Sequence, residues 1–211
     1  MDMNQLSDHD PAVETVLILA SASPRRSDLL RWAGVPFEID PAAIDESRRP
    51  GEEPVAYARR LSREKALARS RPGRLTLGAD TAVFIGGELF DKPSGPGEAA
   101  AHLRSLSGRA HQVVTAFSLA RGGRLIESEA VVSRVTFRRL SEAMIEKYLA
   151  TGESLDKAGA YGLQGQGGFL VETIEGSYSS VIGLPLAEAL RAIQKHAVPE
   201  SRLNLAQGFE R

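Results

Sequence analysis

The run HQVVTAFSLARGGRLIESEAVVSRVTFRR, residues 111–139, limits the fold more than any other part of the chain. Its apolar and polar residues alternate and β-branched side chains are frequent, the pattern of strands lying half-buried on a pleated surface. One interruption, at Gly122-Gly123, turns the chain back, so the stretch predicts a long antiparallel hairpin. A hairpin of this length is a poor fit to a purely parallel, doubly wound sheet. The segment VLILASASPRRSDLLRWAG, residues 16–34, predicts something different: a buried strand over Val16–Ala20, a tight turn, then a helix. Ser23 reads as the N-cap, Pro24 as the first helical residue, Leu29, Leu30 and Ala33 as one stripe, and Gly34 as the stop. Helices interleaved with both isolated strands and hairpins predict a mixed-sheet α/β fold.

The remaining punctuation is consistent with this. VPFEIDPAAIDESRRPGEEP, residues 35–54, reads as a short extended piece followed by a loop carrying Asp45 and Glu46. Residues 55–70 have helical composition and a basic side from Arg59, Arg60, Arg63 and Lys65. LTLGADTAVFIGGELF reads as two apolar runs with a Gly86-Gly87 turn, and GEAAAHLRSLSG as a helix closed by Gly108. Ser141 caps a further helix, FLVETI is a strand, and Pro185 opens a last helix. Residues 1–14 are expected to be a loose extension, 15–196 the functional domain and 197–211 a tail.

Composition removes several classes of function. Of 211 residues, 26 are Lys or Arg and 27 are acidic, so no overall charge favours coating nucleic acid or an anionic membrane. There is no cysteine, which excludes thiolate catalysis and cysteine-ligated metal. The opening MDMNQLSDHDPAVE has neither the basic nor the apolar region of a signal peptide, and no apolar run has the length of a membrane span. The expected location is the cytoplasm.

Four short segments carry chemistry. Ser21, Ser23, Arg25 and Arg26 surround the predicted helix N-terminus, where a cation opposes the helix dipole by about 0.3–1 kcal/mol. Two readings account for them: a polyphosphate seated there, or arginines that turn to water and pair with Asp28 and nearby acids. Asp80, in an apolar strand ending Gly-Ala-Asp-Thr, is either a cleft-edge carboxylate able to bind a cation or take a proton, or a turn aspartate. Lys92, fixed by the proline that follows, suits a phosphate or simply faces solvent. DKAGAYGLQGQGGF, residues 156–169, is glycine-dense without matching GxGxxG or GxxxxGK[ST]. Gln164 within it offers the donor and acceptor that a pyrimidine imide edge requires, unless the segment is only a flexible loop.

Read together, LASASPRRSDLL, EEPVAYARRLSREKA, LGADTAVF, KPSGPGEAAAHLRSLSGRAHQVVTAFSL, DKAGAYGLQGQGG and GSYSSVIGLPL form an ordered set. The chain resembles the Maf family of nucleoside triphosphate pyrophosphatases. The resemblance implies a mixed, partly antiparallel α/β sheet with helices on both sides and two lobes around a deep cleft, similar to the inosine triphosphate pyrophosphatases. It implies hydrolysis between the α- and β-phosphates of a nucleoside triphosphate with a divalent metal cation, Mg2+ or Mn2+. By resemblance, Asp80 accepts the proton of the attacking water and lies with Glu46 near the metal. Ser23, Arg26, Lys65 and Lys92 match phosphate-side positions.

Arg25, Thr81 and Gln164 stand where branches of the family differ, and this combination looks like the branch acting on dTTP and UTP. The branch acting on 7-methyl-GTP has, by resemblance, a tryptophan after the proline and glutamate in place of the glutamine. Asp91 departs from the family pattern, which more often has glycine or another residue before the Lys-Pro pair. The implied partner is the nucleotide, with a homodimer, and neither membrane nor nucleic acid. The rival expectation is a regulatory or nucleic-acid-binding protein connected with septum formation, using the basic helix at 55–70.

Overall fold

The computed structural model describes residues 17–196. The expected extension at 1–14 and tail at 197–211 lie outside the described residues. The first half of the chain runs β1 (Leu17–Leu19), α1 (Pro24–Trp32), β2 (Phe37–Ile39), α2 (Pro54–Ala68), β3 (Leu75–Ile85) and β4 (Glu88–Phe90). It continues with α3 (Pro96–Leu106), β5 (Ala110–Arg121), β6 (Arg124–Phe137) and α4 (Glu142–Leu149). β7 (Val171–Glu175), α5 (Tyr178–Ile182) and α6 (Leu186–His196) complete it. All seven strands form one sheet of order β2-β1-β3-β5-β6-β7, with β4 paired to β3. β1 is parallel to both β2 and β3, and every other pairing is antiparallel. The sheet is therefore mixed, as the sequence pattern predicts.

Local chemistry accounts for the elements. The hairpin β5–β6 closes through Gly122 and Gly123 at φ +56° and +77°, the double left-handed geometry of a two-residue hairpin turn. Gly86 and Gly87 do the same between β3 and β4. α1 ends in a Schellman arrangement, in which Val35 N–H donates to Leu30 and Gly34 N–H to Arg31. Val35 and Leu30 then pack in the same core.

Three expectations need correction. LGADTAVFI is not two runs broken at Asp80 but part of one eleven-residue strand, because β5 pairs with it without interruption from Thr76 to Phe84. The strand expected over FLVETI begins later, since Phe169 and Leu170 end a 3-10 turn over Gly165–Leu170. α5, within GSYSSVIGLPL, was not anticipated; Ser177 caps it by accepting from Ser180 N–H.

Side-chain alternation along β3 divides the core. Leu75, Leu77 and Ala79 pack with α1 and α6 on one face, and Val83 and Ile85 on that same face pack with α3 and α4. Ala82 and Phe84 point the other way, onto Tyr57, Ala58 and Leu61 of α2. Gly78 is where α2 comes closest: a Cβ there would lie 2.3 Å from the Ser62 carbonyl oxygen and 2.5 Å from Ala66 N. Helices thus cover both sides of the sheet. On one edge of β3, β1 pairs only as far as Leu77 and β4 only from Val83, leaving residues 78–82 without a strand partner on that side.

Candidate active site

A cleft of about 360 Å³ opens at this interruption, where the end of β1, the head of α1, the middle of β3 and the glycine-rich segment meet. All nine residues expected at the site line it: Ser23, Arg25, Arg26, Glu46, Lys65, Asp80, Thr81, Lys92 and Gln164. Asp91, the departure from the family pattern, lines it too. Residues spread over 140 positions of sequence meet because β3 carries Asp80 and Thr81 past the end of β1 into the gap.

On the α2 face, Lys65 Nζ lies 2.7 Å from Asp80 Oδ1 and 2.7 Å from Glu46 Oε1. Asp80 and Lys65 are buried, whereas Glu46 is half exposed. The loop bearing Glu46 is tied to α2, since the Tyr57 hydroxyl donates to the Glu46 carbonyl and Arg60 donates to the Ser47 carbonyl. Burial pushes the Glu46 carboxyl up, but the Lys65 hydrogen bond and charge outweigh it and hold the group below the usual glutamate value. The second oxygen of Asp80 accepts no hydrogen bond from the described residues and remains available to a water.

On the opposite face stands Arg26, only 8% exposed. Its guanidinium donates to the Gly183 carbonyl at 2.9 Å, to Ser21 Oγ at 2.9 Å and to Thr81 Oγ1 at 3.3 Å. Thr81 is itself braced by Thr115, whose hydroxyl lies 3.0 Å away. All three acceptors are neutral, and no carboxylate of the described residues lies within ion-pair distance of Arg26. Burial lowers the Arg26 pKa, with the field of Asp80 acting in the other direction. A guanidinium withdrawn from water without a counter-charge is costly, and the cleft offers the space for an anion to supply one.

Ser23 occupies the N-cap position but its side chain makes no capping bond, so the expected side-chain cap is absent and the first turn is left open. Arg25 pairs neither with water alone nor with Asp28, which is bonded to Arg31; its Nη1 reaches Asp156 across the cleft at 3.0 Å. Asp156 also accepts from Lys157 at 2.5 Å. Gln164 lines the cleft, and its side chain makes no hydrogen bond to the described residues. Lys92 has no carboxylate partner among the described residues.

Sequence reasoning missed the Gly183 carbonyl and Asp156. Both lay inside motifs already noted, and Gly183 at φ +142° is a backbone position suited to glycine. The basic side expected of α2 is largely engaged internally: Arg60 is bonded to Glu52 at 2.6 Å and Lys65 faces the cleft.

Residues 16–196 match the family model described as Maf-like protein. The chain belongs to the Maf family. A dTTP/UTP pyrophosphatase from Myxococcus xanthus (strain DK1622) is 49% identical over 190 residues, 89% of this Maf chain and 96% of the relative. Another from Escherichia coli O157:H7 is 47% identical over 192 residues, covering 89% and 97%. Among solved structures, a HAM1 protein from Coxiella burnetii aligns with 59% of this Maf chain and 73% of its own length, at 16% identity and TM-score 0.41.

Proposed function

We propose that this chain is a pyrophosphatase that cleaves nucleoside triphosphates between the α- and β-phosphates, with dTTP and UTP as substrates in the cytoplasmic nucleotide pool. The observation that carries the reading is Arg26: a buried guanidinium with no carboxylate partner among the described residues, at the open head of α1, facing the cleft that holds Asp80. A triphosphate would supply the missing negative charge. The near full-length likeness to relatives named dTTP/UTP pyrophosphatase supports the substrate class.

In this reading the free oxygen of Asp80 receives the proton of the attacking water. Lys65 keeps the Asp80 carboxylate in place, and Arg26, Ser23 and Lys92 hold the phosphates and stabilise the departing pyrophosphate. Arg25 exchanges Asp156 for the nucleotide, Thr81 steadies Arg26, and the Gln164 amide meets the O4 and N3–H edge of thymine or uracil.

Glu46 and Asp80 are oxygen donors of the kind that hold Mg2+ or Mn2+ together with substrate phosphates. Among the described residues there is no group of three or more His, Asp or Glu that could hold a metal ion. When bound, such a cation would neutralise phosphate charge.

Pyrophosphate release from a nucleotide panel with Mg2+ tests the reading. Release from dTTP and UTP but not from 7-methyl-GTP is expected. Folded protein silent with every nucleotide would overturn it.

A further inference from the structure

Gln164 sits at the apex of a chain reversal whose supports lie outside the cleft. At Gly167 the backbone folds back onto Gly162 so tightly that a Cβ would lie 2.1 Å from the Gly162 carbonyl oxygen. Residues 163–166 are therefore a four-residue tip. Two side chains fasten its base. The Tyr148 hydroxyl accepts from Gly162 N–H at 3.1 Å. The Glu153 carboxylate accepts from Gln166 N–H at 3.2 Å through one oxygen and from Gly167 N–H at 3.3 Å through the other.

Gly165, at φ +78°, lies directly against that carboxylate, and a Cβ there would be 2.7 Å from Glu153 Oε1. The tip is thus shaped around Glu153, yet neither Glu153 nor Tyr148 lines the cleft. None of the described residues bonds the Gln164 amide, so its place is set by the backbone that carries it.

We infer that Glu153, assisted by Tyr148, is a positioning residue that fixes the Gln164 tip for the base of the bound nucleotide. The inference rests on the proposed nucleotide reading and names a support for its base-reading side. A glutamine at position 153 has a single acceptor oxygen and would strand one of the two N–H groups, letting the tip drift. An amide displaced by a few tenths of an ångström loses a base edge while the phosphate end of the cleft is untouched.

The experiment measures KM and kcat for dTTP and the inhibition constant of inorganic tripolyphosphate, which has phosphates and no base. The proteins are wild type, Glu153→Gln, Glu153→Asp, Tyr148→Phe, Gln164→Ala and the Glu153→Gln/Gln164→Ala double variant. Glu153→Gln and Tyr148→Phe should each raise KM for dTTP about tenfold, with kcat reduced less than about threefold and tripolyphosphate inhibition unchanged. Glu153→Asp, which keeps two acceptors, should recover part of the loss. In the Gln164→Ala background the Glu153→Gln penalty should vanish, because the residue it positions is gone.

A penalty that persists undiminished in that background, or tripolyphosphate inhibition weakened in parallel with KM, overturns the inference while leaving an active pyrophosphatase. Should Glu153→Gln fail to fold, Tyr148→Phe with a Tyr148→Phe/Gln164→Ala double variant carries the same comparison. Wild-type protein silent on dTTP removes the function proposed above, and the inference with it.

Discussion

Lys65 Nζ is 2.7 Å from Asp80 Oδ1 and the same distance from Glu46 Oε1, so one largely buried ammonium bridges two carboxylates from different parts of the chain. Removing it exposes a repulsion that the fold otherwise hides. Lys65→Met should lose activity and about 3 kcal/mol of stability, because a buried carboxylate is left without its partner. Urea unfolding checks the second half. Adding Asp80→Asn to that variant should return stability without returning activity.

Arg26 reaches three oxygens in three directions with a planar fork. A lysine ammonium cannot span them. Arg26→Lys keeps the charge but should leave Gly183 or Ser21 unbonded, costing about 1–3 kcal/mol and raising KM for the nucleotide at least about tenfold. Steady-state kinetics and thermal unfolding measure the two effects separately, and an unchanged KM would contradict the phosphate role.

Gly78 is on the active-site strand but touches no ligand position. Its missing side chain lets the backbone of α2 rest on β3 at Ser62 and Ala66, one turn from Lys65. Gly78→Ala must push α2 outward, at a cost of about 1–3 kcal/mol. It should also draw Lys65 off Asp80, so activity should fall further than the loss of stability accounts for. Comparing kcat at temperatures where the variant remains folded makes the distinction.

His111 is buried, with Nε2 2.8 Å from the Tyr161 hydroxyl, and burial pushes its pKa down to about 4. The unfolded chain takes up that proton near pH 6.5, the folded chain only near 4. The His111 contribution to stability is therefore full above about pH 6.5, declines as pH falls, and levels off near pH 4. Between pH 7 and 4.5 wild type should lose on the order of 2 kcal/mol more than His111→Gln, read from urea midpoints at each pH. Equal losses would mean that His111 takes up its proton at the same pH in the folded and the unfolded chain.

Much of this architecture follows from local signals. The paired glycines at 86–87 and 122–123, the Ser141 cap and the Gly34 stop are short-range chemistry, and each appears where the residues place it. The long hairpin argues against a purely parallel sheet for the same reason, and the sheet is mixed. Three features could not be read that way, two of them because they depend on partners remote in sequence. Asp80 lies mid-strand because β5 pairs through it, not because of its neighbours. α5 is five residues long, too short for any periodicity to announce it. Arg25 finds Asp156, 131 positions away, instead of the nearer Asp28 that Arg31 already holds.

The unbroken pairing of β3 with β5 makes the floor of the cleft a single beam. A beam paired along nine consecutive positions, Thr76 to Phe84, has no joint at Asp80. Asp80 is thereby held at a constant height in the cleft, between the loop bearing Glu46 and the glycine-rich segment that also line it.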